Sequence, residues 1–115
     1  MVSETEILEL ARGLGEVKEE MVEAEQGQGE KTLRVLKREG EGEHEGRIFL
    51  VVWEGTVPLR IEVKCDEKLG KLLKGKYESV LDSKTLGRGG IEVICSGQLS
   101  DEEVVDLVKF SWNYC

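Results

Sequence analysis

The sequence predicts an α+β two-layer sandwich, an antiparallel sheet covered by helices, with its elements in the order αβββαββα. Three observations carry this prediction. Two Ser-x-x-Glu capping boxes, Ser3 with Glu6 and Ser100 with Glu103, open helices near the two ends of the chain. Between residues 31 and 63 the apolar residues fall into short runs or strict alternation rather than helical spacing. The strands come in consecutive groups, which favours segregated layers over a doubly wound parallel sheet.

The first helix follows Ser3, with Ile7, Leu10, Ala11 and Leu14 as one apolar stripe and Gly13 and Gly15 as its stop. Glu16 to Glu30 has weak periodicity and ends in the polar run Gln26 to Gly29, so it is expected to be an irregular connection with one helical turn at most. Lys31 to Arg38 alternates Leu33 and Val35 with Arg34 and Lys37, the pattern of a strand. Glu39 to Gly46 mixes three glycines with glutamates and reads as a solvated hairpin tip. Arg47 to Trp53 is a continuous apolar run, consistent with a strand covered on both faces. Pro58 stands at a strand's beginning, where its missing amide does least harm. Val57, Leu59, Ile61 and Val63 then alternate with Arg60, Glu62 and Lys64, a half-buried strand whose polar side is expected to face water.

Asp66 can cap the next helix, in which Leu69, Leu72 and Leu73 form the apolar stripe while Lys68 and Lys71 lie on an exposed one. A short strand is expected near Thr85 and Leu86, and Ile91, Val93 and Cys95 define the last strand. Val104, Leu107, Val108 and Trp112 make the final helix amphipathic. One core is expected from Ile7, Leu10, Leu14, Phe49, Val51, Ile61, Val63, Leu69, Leu73, Val93, Leu107 and Val108.

With 115 residues the chain is read as a single domain spanning 1–115. Charged residues are 35% and hydrophobic residues 39%, the composition of a charge-rich globular protein. No run approaches the ~18 apolar residues of a membrane span, and Glu4, Glu6 and Glu9 occupy the place of a signal peptide's basic and apolar regions. A cytoplasmic location without membrane attachment is therefore expected. Three isolated cysteines, at 65, 95 and 115, build neither a disulfide framework nor a metal knuckle, and Cys65 and Cys95 read as core. The net charge of −8 is uneven: residues 1–45 hold 13 acidic and 6 basic side chains, whereas residues 64–88 hold seven basic against four acidic.

The segment from Gly46 onward resembles the MmcQ/YjbR family of small bacterial and archaeal proteins. The residues that carry the resemblance are Gly46, Arg47 and Phe49, the triplet Lys64, Cys65, Asp66, then Tyr77 and Val80, and finally Ser100 and Glu103 leading to Ser111 and Trp112. The resemblance implies an α+β fold topologically similar to frataxin-type domains and to a "double wing" DNA-binding arrangement, and no established reaction. The chain departs from the family before its last strand, where Leu86, Gly87, Arg88, Gly89 and Gly90 stand in place of an Asn, Lys, x, His, Trp type segment.

A search for chemistry finds no paired nucleophile and base, so no enzymatic activity and no cofactor are expected. The single histidine, His44, stands between glutamates on the glycine-rich tip, away from any held set of metal ligands. Gly87, Gly89 and Gly90 lack the following helix and the Lys, Ser/Thr tail of a phosphate loop. The leading expectation is a non-catalytic binding or adaptor module for a protein partner, as a monomer or a homodimer. DNA binding through Lys64, Lys68, Lys71, Lys84 and Arg88 is the alternative that the double-wing resemblance implies, weak because the whole molecule repels polyanions. Weak metal binding by Glu4, Glu9, Glu16, Glu19, Glu20 and Glu23 is a third reading, by analogy with frataxin-type domains, and an acidic homodimeric chaperone-like role a fourth.

Overall fold

A computed structural model describes residues 2–26, 29–39, 46–87 and 89–114 of the chain. Three helices, α1 (Glu4–Arg12), α2 (Glu67–Lys76) and α3 (Asp101–Tyr114), accompany six strands: β1 (Val17–Gln26), β2 (Gly29–Arg38), β3 (Ile48–Trp53), β4 (Leu59–Lys64), β5 (Val80–Asp82) and β6 (Gly90–Cys95). The strands form one antiparallel sheet in the order β1-β2-β3-β4-β6-β5. The first four strands run as a meander. The chain then crosses through α2 to the far edge, and β6 returns to fill the place beside β4.

The α+β sandwich is thus the observed class, with one strand more than the pattern suggested. Val17–Gln26, expected to be irregular, is a ten-residue edge strand paired along its length with β2. Its stability is not written in its own apolar residues, since Met21 and Val22 are both exposed. Ladder bonds to β2 and ion pairs from neighbours hold it: Arg12 and Arg34 grip Glu19, and Lys37 grips Glu20. The short strand expected near Thr85 and Leu86 lies instead at Val80–Asp82, and Thr85 and Leu86 belong to the loop that follows. The tip at residues 40–45, His44 included, together with Arg88 and Cys115, lies outside the described residues.

Helix starts are set by side chains that satisfy the free N–H groups of the first turn. Ser3 Oγ accepts from Glu6 N at 3.2 Å, Asp66 Oδ1 from Leu69 N at 2.8 Å, and Ser100 with Glu103 completes both arms of a capping box. All three helices pack on one face. There Ile7, Leu8, Ala11, Val104, Leu107 and Val108 meet Leu50, Val52, Ile61, Val63, Ile91 and Val93.

A register shift in the β2–β3 pairing leaves Phe49 unopposed by any residue of β2 and turns it toward the helices, where its ring meets Trp112 edge-on at 4.9 Å. Ser111 then pins α3 to two strands, its Oγ donating to Phe49 O at 2.6 Å and accepting from Lys64 N at 2.8 Å. Gly15 is required beside this contact, because a Cβ there would stand 2.6 Å from Trp112.

The apolar residues do not make one core. Leu33, Val35, Val51 and Trp53 form a second cluster on the sheet face turned away from the helices, here called the open face. Leu10, Leu14, Leu69 and Leu73 are half-buried at the margin of the main core, and Leu72, expected inside, is 65% exposed. Gly70 takes the innermost position of α2 instead, bringing the helix backbone close to Cys65 and Ile91. Val57 precedes β4 and is 97% exposed. The polar side of β4 does not face water either: Glu62 is 0% exposed. Among the described residues no helix is long and apolar enough to cross a membrane.

Candidate functional site

Glu62 organises the open face. Alternation along β4 directs Arg60, Glu62 and Lys64 to that side, and pairing with β6 places Glu92 directly opposite Glu62. Two adjacent buried carboxylates cost several kcal/mol unless each is well supplied with donors. Glu62 Oε2 accepts from Trp53 Nε1 at 3.0 Å, while Oε1 accepts from Ser83 Oγ at 2.5 Å and Thr85 N at 3.0 Å. Glu92 Oε1 accepts from Arg60 Nη2 at 2.5 Å, and the Arg60 guanidinium lies over the Trp53 ring, 4.7 Å from its centroid.

This network fixes the β5–β6 loop. Ser83 Oγ also accepts from Leu86 N at 2.9 Å, so one hydroxyl both anchors the loop to the sheet and closes its turn. Leu86 is thereby laid against the second apolar cluster beside Ile48. The close approach needs Gly90, where a Cβ would come within 2.7 Å of Leu86.

Between the anchored loop and the end of the sheet lies a cleft of about 670 Å³, lined by Gly46, Arg47, Ile48, Lys64, Thr85, Leu86 and Tyr114. That volume falls in the range of small-ligand sites. Its floor is apolar, from Ile48 and Leu86. The position of Lys64 is fixed by the bond from its N–H to Ser111, and Tyr114 stacks on Phe110 with centroids 5.6 Å apart. Two cations and no carboxylate line the cleft among the described residues, so it is suited to a ligand that carries negative charge next to an apolar surface.

The residues singled out from sequence are distributed rather than gathered. Lys64 lines the cleft, whereas Lys71 lines a separate depression of about 140 Å³ that also holds Lys74, Asp66, Glu67 and Asp82. Lys74 is paired with Asp82 there at 2.5 Å. Lys68 and Lys84 are exposed and line neither cavity, and Arg88 lies outside the described residues. Arg47 and Tyr114 were not marked as site residues in the sequence. In the sequence Arg47 marks a strand's start and part of the family resemblance, and Tyr114 reaches the cleft because α3 runs two residues beyond Trp112, the last of its apolar stripe.

Three of the six glutamates proposed for metal are engaged elsewhere. Glu4 accepts from Gly55 N, and Glu19 and Glu20 hold arginine and lysine partners. Arg12, supported by Arg34, keeps the Glu19 carboxyl below its ordinary value against the opposing effect of burial. No group of three or more metal-binding side chains occurs among the described residues. Cys65 and Cys95 are buried, and burial raises both thiols, Cys95 to about 11, with Asp66 and Asp101 respectively adding to the effect.

The fold and cleft define a class, a six-stranded antiparallel sheet with three helices on one face and a cationic cleft at the end of the other. No protein-family model matches the chain, and no curated protein matches it. Among solved structures it is similar to the crystal structure of Deinococcus radiodurans protein DR2400, which carries the domain DUF419. The two superpose with a TM-score of 0.65 at 16% identity, over 94% of this chain and 74% of that one. At that identity the likeness establishes the fold.

Proposed function

We propose that this chain is a non-catalytic binding module of the MmcQ/YjbR type that works in the cytoplasm and holds an acidic segment of a protein partner in the Arg47–Lys64 cleft. The observation that carries this reading is the cleft itself: two cations and a tyrosine around an apolar floor, held in shape by the buried Glu62 network. Both described thiols are kept protonated by burial, which argues against a thiolate nucleophile. Duplex DNA is the weaker ligand on this reading. The cations of residues 64–84 are divided between separate surfaces, Asp66, Glu67 and Asp82 are interleaved with them, and the whole chain carries −8.

The test is a fluorescence-anisotropy titration at about 0.15 M salt with three labelled probes: a Glu-rich peptide containing one leucine, a Gly/Ser peptide of equal length, and a short DNA duplex. The acidic peptide should bind, the neutral peptide should not, and Lys64→Glu should weaken binding about tenfold or more. The duplex should bind at or beyond ~10⁻⁴ M. Submicromolar duplex binding with a steep salt dependence, lost on changing Lys68 and Lys71 to Glu, would put the DNA reading first.

A further inference from the structure

A second surface lies on the helical side of the molecule, separated from the cleft by the stacked rings of Phe110 and Tyr114. Between α2 and α3 runs an apolar groove of about 240 Å³, floored by Leu69, Leu73, Leu99, Leu107 and Phe110 and edged by Glu103 and Asp106 of α3. Beside it α2 presents Lys68, Leu72 and Lys76, all exposed and spaced i, i+4, i+8, so they form one row along the helix. Leu72 thus extends the apolar strip out of the groove onto the surface. On α3 the matching row is mainly acidic, with Glu102, Glu103 and Asp106 exposed and the exposed Lys109 one turn further along it.

We infer that this face pairs with a second copy of the chain about a two-fold axis running along the groove. Such an axis lays α2 of each copy over α3 of the other. The Lys68 and Lys76 row then meets the Glu102 and Asp106 row twice, and Leu72 of each copy enters the apolar groove of its partner. The charge pattern decides the occupant. On this face α2 offers Lys68 and Lys76 while α3 offers Glu102 and Asp106, a self-complementary arrangement that a uniformly charged partner would not satisfy.

The size is adequate for a weak dimer. Helices of ten and fourteen residues side by side present a face about 20 Å square. Covering it on two copies removes on the order of 1,000 Å² of surface, the lower limit for a specific interface. The dissociation constant should therefore lie between about 10⁻⁶ and 10⁻³ M and rise with salt, because the paired charges stand at the solvated rim.

Sedimentation equilibrium on the full chain tests this. Wild type should approach twice the chain's mass, and Leu72→Ser should raise the dissociation constant about tenfold or more. Lys68→Glu with Lys76→Glu should do the same. So should Glu102→Lys with Asp106→Lys. An equimolar mixture of the two double variants should recover the dimer, since each then offers the charge the other lacks. All these positions are exposed, so circular dichroism should stay at its wild-type form, while the urea midpoint should fall only slightly, through the charges reversed at the helix ends. A wild type that stays monomeric to ~10⁻³ M, a dimer indifferent to Leu72→Ser, or a mixture that stays monomeric would each overturn the inference.

Discussion

Ser83→Ala is the smallest change that should loosen the cleft without touching it. The hydroxyl donates to the buried Glu62 carboxylate at 2.5 Å and accepts from Leu86 N at 2.9 Å, and the residue is itself buried. A hydrogen bond to a charged group is worth ~1.5–3 kcal/mol, and a backbone N–H left without its acceptor costs up to a further ~1 kcal/mol where it is half-buried. These effects overlap, so a net loss of about 2–3 kcal/mol is expected. That is a large fraction of the ~5–15 kcal/mol by which a domain is stable, and about a 10 °C fall in melting temperature. Urea unfolding followed by tryptophan fluorescence measures it, with an unchanged slope expected because the same surface is exposed on unfolding. A cycle with Glu62→Gln should give a coupling of ~1 kcal/mol or more, since the two groups are direct partners. Acidic-peptide affinity should fall in Ser83→Ala, because Leu86 loses its anchor and Thr85 keeps only its own bond to Glu62. A stability loss below ~0.5 kcal/mol, or strict additivity in the cycle, would refute the role given to the network.

Gly15→Ala should cost ~1–3 kcal/mol by urea titration, because the new Cβ meets the Trp112 ring at 2.6 Å and α3 must shift. The Glu19 carboxyl is held below its ordinary value by Arg12 and then Arg34, so its contribution is full above the unfolded value of 4.5 and is lost as pH falls through the lower folded one. Removing the Arg12 bond should therefore flatten the acid limb of the stability profile below pH 4.5, as measured by comparing wild type with Arg12→Met in urea across that range. In a Cys115→Ser background, a thiol reagent at about pH 8 should label Cys65 and Cys95 only as fast as the protein unfolds, because burial keeps both thiols protonated.

The parts of the fold legible in the sequence are those whose stability is local. The caps at Ser3, Asp66 and Ser100 and the apolar patterns of β3, β4, β6 and α3 all state their own structure, and the structure repeats them. β1 was not legible because an exposed edge strand buries little and is held by partners from α1 and β2. The burial of Glu62 is hidden from the sequence for the same reason. Alternation places it on the polar side of β4, and only a loop more than twenty residues later, together with Trp53 from the neighbouring strand, takes that side out of water. The leucine pattern of α2 makes its stripe one residue too wide, since Gly70 rather than Leu72 meets the core. Of the cleft, the sequence marked Lys64 alone. Arg47, Thr85 and Tyr114 come from three distant segments whose convergence depends on the β3 bulge, the Ser83 anchor and the Ser111 pin.

The account turns on whether the cleft is where this protein meets its ligand, and amide chemical-shift mapping on the labelled protein addresses that directly. During titration with the acidic peptide, the largest shifts should fall on Arg47, Ile48, Lys64, Thr85, Leu86 and Tyr114, and Lys64→Glu should abolish them while leaving the rest of the spectrum in place. Shifts that instead gather on Lys68 and Lys71 of α2, or that survive Lys64→Glu unchanged, would contradict it.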